Sequence, residues 1–167
     1  MTHSIQKWPI PVRSLHWLMA VMLIVQWASG NWDDWLGVRN HVSLGLLVLP
    51  LALIRLLARL TGETPDTGAT KTLPDRVAAL VHALFYMIMI ALPISGVLWR
   101  QAGGRAVSFF GWFDLPTLVA PNKTFAHTLH EVHEVLGTVF LVLLALHVLG
   151  ALKRQFLDRQ PLMQRLL

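Results

Sequence analysis

The sequence predicts an all-α fold: an integral membrane bundle of four transmembrane helices with both termini in the cytoplasm. Hydrophobic residues make up 54% of the 167 residues and charged residues only 14%, whereas soluble domains carry roughly 25% charged residues. Four apolar stretches approach the roughly 20 residues that a spanning helix needs. These stretches and their loops use the whole chain, so we expect a single membrane domain over residues 1–167.

The first two helices are predicted at residues 12–30 and 41–60. Ala28-Ser29-Gly30 only weakly matches a signal-peptide cleavage site, so we expect the first helix to be retained. The connection between them, residues 31–40, is short and contains the Trp and Asp residues typical of a membrane interface. Helices 1 and 2 should therefore form a tight antiparallel pair.

The third and fourth helices are predicted at residues 77–98 and 132–152. Residues 61–75 are rich in Thr, Gly, Pro and Asp, which is typical of a surface loop. Residues 100–131 form the longest loop, and its aromatic run at 109–113 indicates that it lies along the membrane surface. No internal repeat is evident in the sequence.

The distribution of basic residues predicts the orientation. Four of the 14 Lys and Arg residues fall on one side of the membrane, and all the others fall on the side of the termini; the four are Arg39, Arg100, Arg105 and Lys123. Cytoplasmic segments carry the excess of Lys and Arg, so both termini should be cytoplasmic. The net charge of +5 follows from this topology rather than from a soluble basic patch, so we expect no nucleic-acid partner.

Five histidines lie inside or at the ends of the predicted helices, where ionisable residues are costly and are candidates for function; they are His16, His41, His82, His133 and His147. His147 follows His133 by 14 positions. On a helix this separation returns to within about 40° of the same face and spans about 21 Å along the axis. Helix 4 thus offers one imidazole to each of two stacked sites. His127 and His130 fall on other faces of that helix.

Pairing the histidines by depth gives His16 with His147 on the cytoplasmic side and His41 with His133, near the start of helix 4, on the outer side. The chain contains no cysteine, which excludes iron–sulfur clusters and covalently attached haem. Two imidazoles from different helices that face one space suit bis-histidine ligation of haem better than they suit zinc. A single membrane histidine often only bridges helices by hydrogen bonds, but two depth-matched pairs disfavour that explanation.

Three further residues are candidates for contacts with a cofactor or substrate. Arg55 follows His41 by 14 positions, so it shares that face at the cytoplasmic depth and either binds a haem propionate or extends to the interface. Arg13, three residues before His16, is a second propionate candidate. His82 lies at the depth of the cytoplasmic pair. It could replace one ligand, bind a quinone carbonyl and supply protons, or form a structural hydrogen bond.

These residues resemble the bacterial cytochrome b561 family, and the similarity runs through all four helices. The matching pieces are the motif opening helix 1, the two ends of helix 2, the middle of helix 3 and both histidines of helix 4: Arg13-Ser14-Leu15-His16-Trp17, His41-Val42-Ser43-Leu44-Gly45 with Arg55 and Arg59, His82 ahead of Ala91-Leu92-Pro93 with Gly96, and His133-Glu134 with Leu146-His147.

The resemblance implies a bundle in the bacterial inner membrane that holds two haems b across helices 1, 2 and 4. It implies that His16 and His147 bind the cytoplasmic haem and that His41 and His133 bind the outer haem. These four histidines would therefore be the metal ligands. It further implies electron exchange with ubiquinone. Some members oxidise superoxide at the outer face and pass the electron through both haems to ubiquinone.

The electron donor is less well defined by the sequence. Superoxide is an anion that a positive outer surface would steer, yet the outer segments carry five acidic against four basic residues. Clustering of Arg100, Arg105 and Lys123 could still create a positive entrance. Related cytochrome subunits instead anchor hydrogenases and other dehydrogenases, and in such a relay the aromatic outer loop would dock the redox partner. A third hypothesis is a structural or transport bundle without redox function.

Overall fold

Four long helices form the molecule. The computed structural model describes residues 7–61, 72–160 and 162–166, and its long helices are α1 (Ile10–Asn31), α2 (Asp33–Thr61), α3 (Leu73–Ala102) and α4 (Lys123–Leu152). Each is long and apolar enough to cross a membrane, yet only 11% to 22% of its most apolar stretch is buried within the protein. Most of that apolar surface therefore faces outward, where lipid tails would cover it. The predicted four-helix, multi-pass membrane fold is confirmed.

The helices pack in chain order, with extensive contacts of α1 with α2, α2 with α3, and α3 with α4. Two buried apolar clusters hold them together, and both lie in the middle of the bundle; the first is Met19, Val48, Ala52 and Met89, and the second is Ile88, Phe140 and Leu143. The close pairing of α1 with α2 matches the expected hairpin. These clusters fix the relative depth of the histidines above and below them.

The start of α4 differs from its predicted position at Val132. The helix begins at Lys123, where the side chain of Asn122 caps it by accepting a 2.9 Å hydrogen bond from the backbone N–H of Phe125. Along this added stretch His127 lies 3.6 Å from Glu131, one helical turn apart. Such a polar extension lacks the apolar residues on which the prediction depended. His133 is consequently well inside α4 rather than near its start.

The connection between α1 and α2 is also more helical than predicted. Only Trp32 separates the two helices, and α2 is interrupted at Gly37, whose φ of 71° and ψ of 151° are not helical. A positive φ is strained for residues with a Cβ, so glycine is the residue suited to this bend. The part of α2 that is apolar enough to span a membrane runs from Leu36 to Thr61, with the bend near its start. Residues 62–71 of the predicted loop 61–75 lie outside the described residues.

The outer loop is shorter than predicted and is tied to the helix ends. It contains a small antiparallel hairpin, β1 (Ser108–Phe109) with β2 (Phe113–Asp114). The fully buried hydroxyl of Ser43 on α2 accepts a 2.8 Å hydrogen bond from the backbone N–H of Phe110. On α3, the buried Gln101 donates to the carbonyl of Pro116 at 2.8 Å. These bonds hold the loop against the outer ends of α2 and α3.

The end of the bundle that is predicted to face the cytoplasm is closed by the C-terminal segment. After α4 the chain makes a π-helical turn, Lys153–Leu157, and ends in the short helix α5 (Leu162–Leu166). Arg154 pairs with Asp75 at 2.8 Å, and the indole N–H of Trp17 donates to the carbonyl of Leu166 at 3.1 Å. The C-terminal segment therefore lies beside the start of α1, at the same end of the bundle as His16.

Candidate cofactor site

The outer pair of histidines comes together between α2 and α4. The ring centroids of His41 and His133 lie 6.3 Å apart, with the ring planes at 74° to each other. Both side chains are half-buried. The structure therefore places these two imidazoles across one space, as their predicted depths require.

The cytoplasmic pair has nearly the same spacing. The ring centroids of His16 on α1 and His147 on α4 are 6.2 Å apart, at an interplanar angle of 60°. α4 thus contributes one histidine to each pair, as the separation of 14 positions predicts. The remaining partners come from two different helices, α1 and α2.

Both separations suit two imidazoles that share one metal ion. A metal–nitrogen bond of about 2.0–2.1 Å, added to a ring radius of about 1.2 Å on each side, separates two ring centroids by about 6.4 Å. Within the described residues no group of three or more His, Asp or Glu side chains is arranged to hold a metal ion. Histidine is one of the protein ligands that hold haem iron, so each pair contains residues that could hold a b-type haem, which would supply a one-electron centre there.

Serine hydroxyls support both outer histidines. Ser29 on α1 lies 2.9 Å from Nδ1 of His41, and Ser95 on α3 lies 3.0 Å from Nδ1 of His133. Both serines are almost fully buried. Histidines that bind metals usually hydrogen-bond through their other ring nitrogen, which fixes the ring's orientation. Nε2 is therefore the nitrogen through which each outer histidine would bind a metal.

Two glycines lie against the same rings. A Cβ at Gly30 would come within 3.1 Å of Cε1 of His41, and one at Gly96 would come within 3.2 Å of Cε1 of His133. These distances are shorter than ordinary carbon–carbon contacts of about 3.5–4.0 Å. Glycine at both positions therefore lets the imidazoles pack directly on the backbones of α1 and α3.

The cytoplasmic pair has different neighbours. Nη2 of Arg55 lies 3.0 Å from Nδ1 of His16, and Nη1 lies 3.4 Å from the carbonyl of Val12. Arginine has only donors, so Nδ1 of His16 accepts in this arrangement and a neutral ring carries its hydrogen on Nε2. Binding a metal through Nε2 would therefore require Arg55 to release Nδ1. Arg55 thus reaches the predicted depth and approaches a histidine rather than the membrane interface. A guanidinium in this position could also bind a propionate.

His82 joins the cytoplasmic cluster. Its ring centroid lies 5.3 Å from that of His147, which also contacts Phe85 at 5.6 Å. The spacing of His82 to His147 is shorter than the roughly 6.4 Å expected across a shared metal, whereas His16 to His147 fits. His16 is therefore the better partner for His147, and His82 is left beside the pair. The other propionate candidate, Arg13, lines a surface groove with Trp17 and Leu166.

A basic pocket opens at the outer end of the bundle. Arg39 and Arg100 line it together with three uncharged residues, and no acidic residue is among the described residues that line it; the three are Val42, Ala106 and Ser108. The sequence pointed to Arg100, Arg105 and Lys123 as the positive cluster and missed Arg39. Arg39 lies two residues before His41, and this proximity was the sequence signal that could have placed it at the site.

A stacked pair of rings lies beside the outer histidines. The indole of Trp99 lies 4.1 Å from the ring of His130 and 6.1 Å from the ring of His133. His130 also lies 3.5 Å from Glu134. The helical geometry predicted that His130 lies on a different face from His133, and it did not indicate that both rings lie near Trp99.

Comparison with known proteins gives consistent matches. The family described as prokaryotic cytochrome b561 matches residues 7–167. Cytochrome b561 homolog 2 of Escherichia coli K12 is 30% identical over 99% of this chain and 94% of that protein. A probable superoxide oxidase, CybB, of Yersinia pestis is 28% identical over 92% of this chain and 91% of its own length. Cytochrome b562 of Cereibacter sphaeroides is 27% identical over 92% of this chain and 90% of that protein.

Proposed function

Because the chain belongs to the prokaryotic cytochrome b561 family of b-type haem membrane cytochromes, we propose that it is a di-haem oxidoreductase of the bacterial inner membrane. It transfers electrons between a donor at the outer face, superoxide, and ubiquinone near the cytoplasmic face. The observation that carries this proposal is the pair of 6.2 Å and 6.3 Å imidazole separations at two depths. One such pair would serve a single haem, and two suit a path across the membrane.

His41 and His133 would hold the outer haem b, and His16 and His147 the cytoplasmic one. When bound, each haem supplies a carrier of one electron. The protein's part is to fix the four imidazoles, to keep water out of the bundle, and to place charged groups at its two ends. Arg55 supplies a positive charge beside His16, where it suits a propionate.

Superoxide is the donor that suits the outer pocket. Arg39 and Arg100 present two positive charges there, next to the helix that carries His41. A positive pocket attracts an anion and raises its local concentration, although the outer segments as a whole are not basic. The name of the Yersinia pestis relative, a probable superoxide oxidase, agrees with this chemistry. Each superoxide that gives up one electron leaves as O₂.

Ubiquinone suits the cytoplasmic cluster. Reduction of one ubiquinone takes two electrons, hence two superoxide ions, together with two protons. His82 lies beside His147 without completing a metal-spaced pair with it. A histidine in that place can donate a hydrogen bond to a quinone carbonyl and pass a proton to it. The cytoplasm, on the side of the predicted termini, would supply the protons.

An electron-relay subunit is the alternative function. The outer hairpin exposes Trp112 at 79% and Phe113 at 57%, and exposed aromatic residues are common in protein interfaces. A dehydrogenase or hydrogenase that docked there would replace superoxide as the donor. An electron-relay subunit would use the same two histidine pairs and the same quinone site as the superoxide oxidoreductase.

The test uses detergent-purified protein and a superoxide-generating system. We expect superoxide to reduce the haems and added ubiquinone to reoxidise them, and superoxide dismutase to abolish the reduction. In a variant with Arg39→Gln and Arg100→Gln, reduction by superoxide should slow while reduction by dithionite is unchanged. Haems that superoxide does not reduce would favour the relay, and a colourless protein would contradict both functions.

A further inference from the structure

Two equivalent units of three residues, a Ser-Gly dipeptide and a histidine, make up the outer pair and its immediate support. Ser29 and Gly30 on α1 face His41 on α2, and Ser95 and Gly96 on α3 face His133 on α4. The serine-to-Nδ1 distances are 2.9 Å and 3.0 Å, and the distances from a glycine Cβ to the ring would be 3.1 Å and 3.2 Å. The same Ser-Gly dipeptide thus serves each ring, in a chain whose sequence shows no repeat.

The serine protons settle which nitrogen of each ring carries hydrogen. Ser29 donates its only hydroxyl proton to the carbonyl of Gln26 at 2.9 Å, and Ser95 donates to the carbonyl of Leu92 at 2.9 Å. Each oxygen is then an acceptor toward its histidine, so Nδ1 of the histidine must be the donor. Nδ1 of His133 also lies 3.1 Å from the carbonyl of Leu92, which can only accept.

From this geometry we propose that Ser29 and Ser95 are matched positioning residues that prepare both outer histidines to bind iron through Nε2. Ser29 fixes the Nδ1–H tautomer of His41, and Ser95 fixes that of His133 together with the carbonyl of Leu92. The lone pair of each ring is then on Nε2, and each ring is held at one orientation. A hydrogen bond from Nδ1–H also makes the imidazole a stronger electron donor to a metal. The proposal rests on the proposed function, because it takes His41 and His133 as haem ligands.

The cytoplasmic pair lacks this arrangement among the described contacts. Nδ1 of His16 faces the guanidinium of Arg55, a donor, instead of an acceptor. The two serines should therefore act on the outer haem alone. This selectivity separates a positioning role from general support of the fold, which would affect both haems.

The test compares Ser29→Ala and Ser95→Ala in the haem-loaded protein by redox titration and low-temperature electron paramagnetic resonance. Loss of the acceptor weakens donation from the ligand, so the outer haem should shift to a more positive midpoint potential and change its low-spin signal. The shift should be larger in Ser29→Ala than in Ser95→Ala, where the carbonyl of Leu92 still accepts from Nδ1 of His133. Its affinity for haem should fall by about 10- to 100-fold. The cytoplasmic haem should keep its potential and signal. In the double variant, the shift of the outer potential should exceed that of either single variant.

Two further variants complete the test. Ser29→Thr keeps the hydroxyl and should restore the parent potential. Ser43→Ala removes another buried serine hydroxyl, one that bonds the outer hairpin and no histidine, and it should leave both potentials unchanged. Alanine variants that retain two haems with unchanged potentials, or shift no more than Ser43→Ala, would overturn the proposal. A parent protein without haem would instead overturn the proposed function.

Discussion

The outer and cytoplasmic histidine pairs have almost the same spacing but different surroundings. At 6.3 Å and 6.2 Å the ring spacings equally suit a shared metal, but Nδ1 is a donor in the outer rings and an acceptor in His16. The outer rings are held by neutral serine acceptors and packed on glycines. The cytoplasmic pair is instead bordered by a charged arginine and a third histidine.

The difference indicates a division of roles between the two ends. Neutral hydrogen bonds and close backbone packing hold a ligand at one orientation, which suits a centre that only exchanges electrons. Charge and a titratable ring beside the other pair suit chemistry that also moves protons. The predictions below test this contrast, starting with the largest expected effect.

Removing a ligand should abolish one haem and spare the other. We expect His41→Ala or His133→Ala to lose the outer haem, and His16→Ala or His147→Ala to lose the cytoplasmic haem, so that the pyridine haemochromogen count falls from two to one. Circular dichroism would check that the helices remain. Equal loss of both haems in every single variant, with helical content retained, would contradict the pairing.

Replacing His82 should impair quinone chemistry without removing haem. Proton transfer by a positioned side chain typically contributes 10²–10⁴-fold to a rate, so His82→Gln should slow reoxidation by ubiquinone by about 100-fold or more. Both haems should remain. His130→Gln, which removes a histidine at the outer end, is the control and should leave that rate unchanged. Loss of the cytoplasmic haem in His82→Gln would instead make His82 a ligand.

Adding a methyl group against an outer ligand should weaken only the outer centre. Gly30→Ala and Gly96→Ala each place a Cβ against a ring, and overpacking of this kind typically costs about 1–3 kcal/mol. We expect partial loss of the outer haem and a lower melting temperature. At Gly150 a Cβ would meet no atom within 4 Å, so Gly150→Ala should be neutral. A Gly30→Ala variant as benign as Gly150→Ala would contradict the close packing.

Neutralising Arg55 should produce the smallest change, confined to the cytoplasmic centre. A nearby positive charge favours the reduced form of a haem, so Arg55→Gln should lower that midpoint potential by an amount equivalent to roughly 1–2 kcal/mol. Arg76→Gln, which removes an exposed charge at the start of α3, is the matched control. A shift of the outer potential in Arg55→Gln would show that the two centres are not electrically separate.

The sequence predicted the fold and the pairing of histidines for physical reasons. Apolar length alone identifies spanning helices, and the helical repeat relates His133 to His147 without knowledge of packing. The polar start of α4 escaped prediction because its helix is stabilised by Asn122 and by side-chain pairs rather than by apolar residues. Hydropathy contains no information about such a cap.

The immediate neighbours of the histidines depend on how helices meet, which one sequence does not reveal. In the sequence, Ser29 and Gly30 belong only to a weak match to a cleavage site, and Gly96 appears only in the family resemblance. Their recurrence as the same dipeptide on two helices was the only signal of a shared role. The spacing of Arg55 predicted its depth correctly but did not show that its partner is His16.

The most direct test of the account is a haem count with low-temperature electron paramagnetic resonance on the purified protein. Two bis-histidine centres in different surroundings predict two haems b per chain and two distinct low-spin signals with separate midpoint potentials. A single haem per chain, or two haems with one indistinguishable signal and potential, would contradict the contrast between the outer and cytoplasmic pairs.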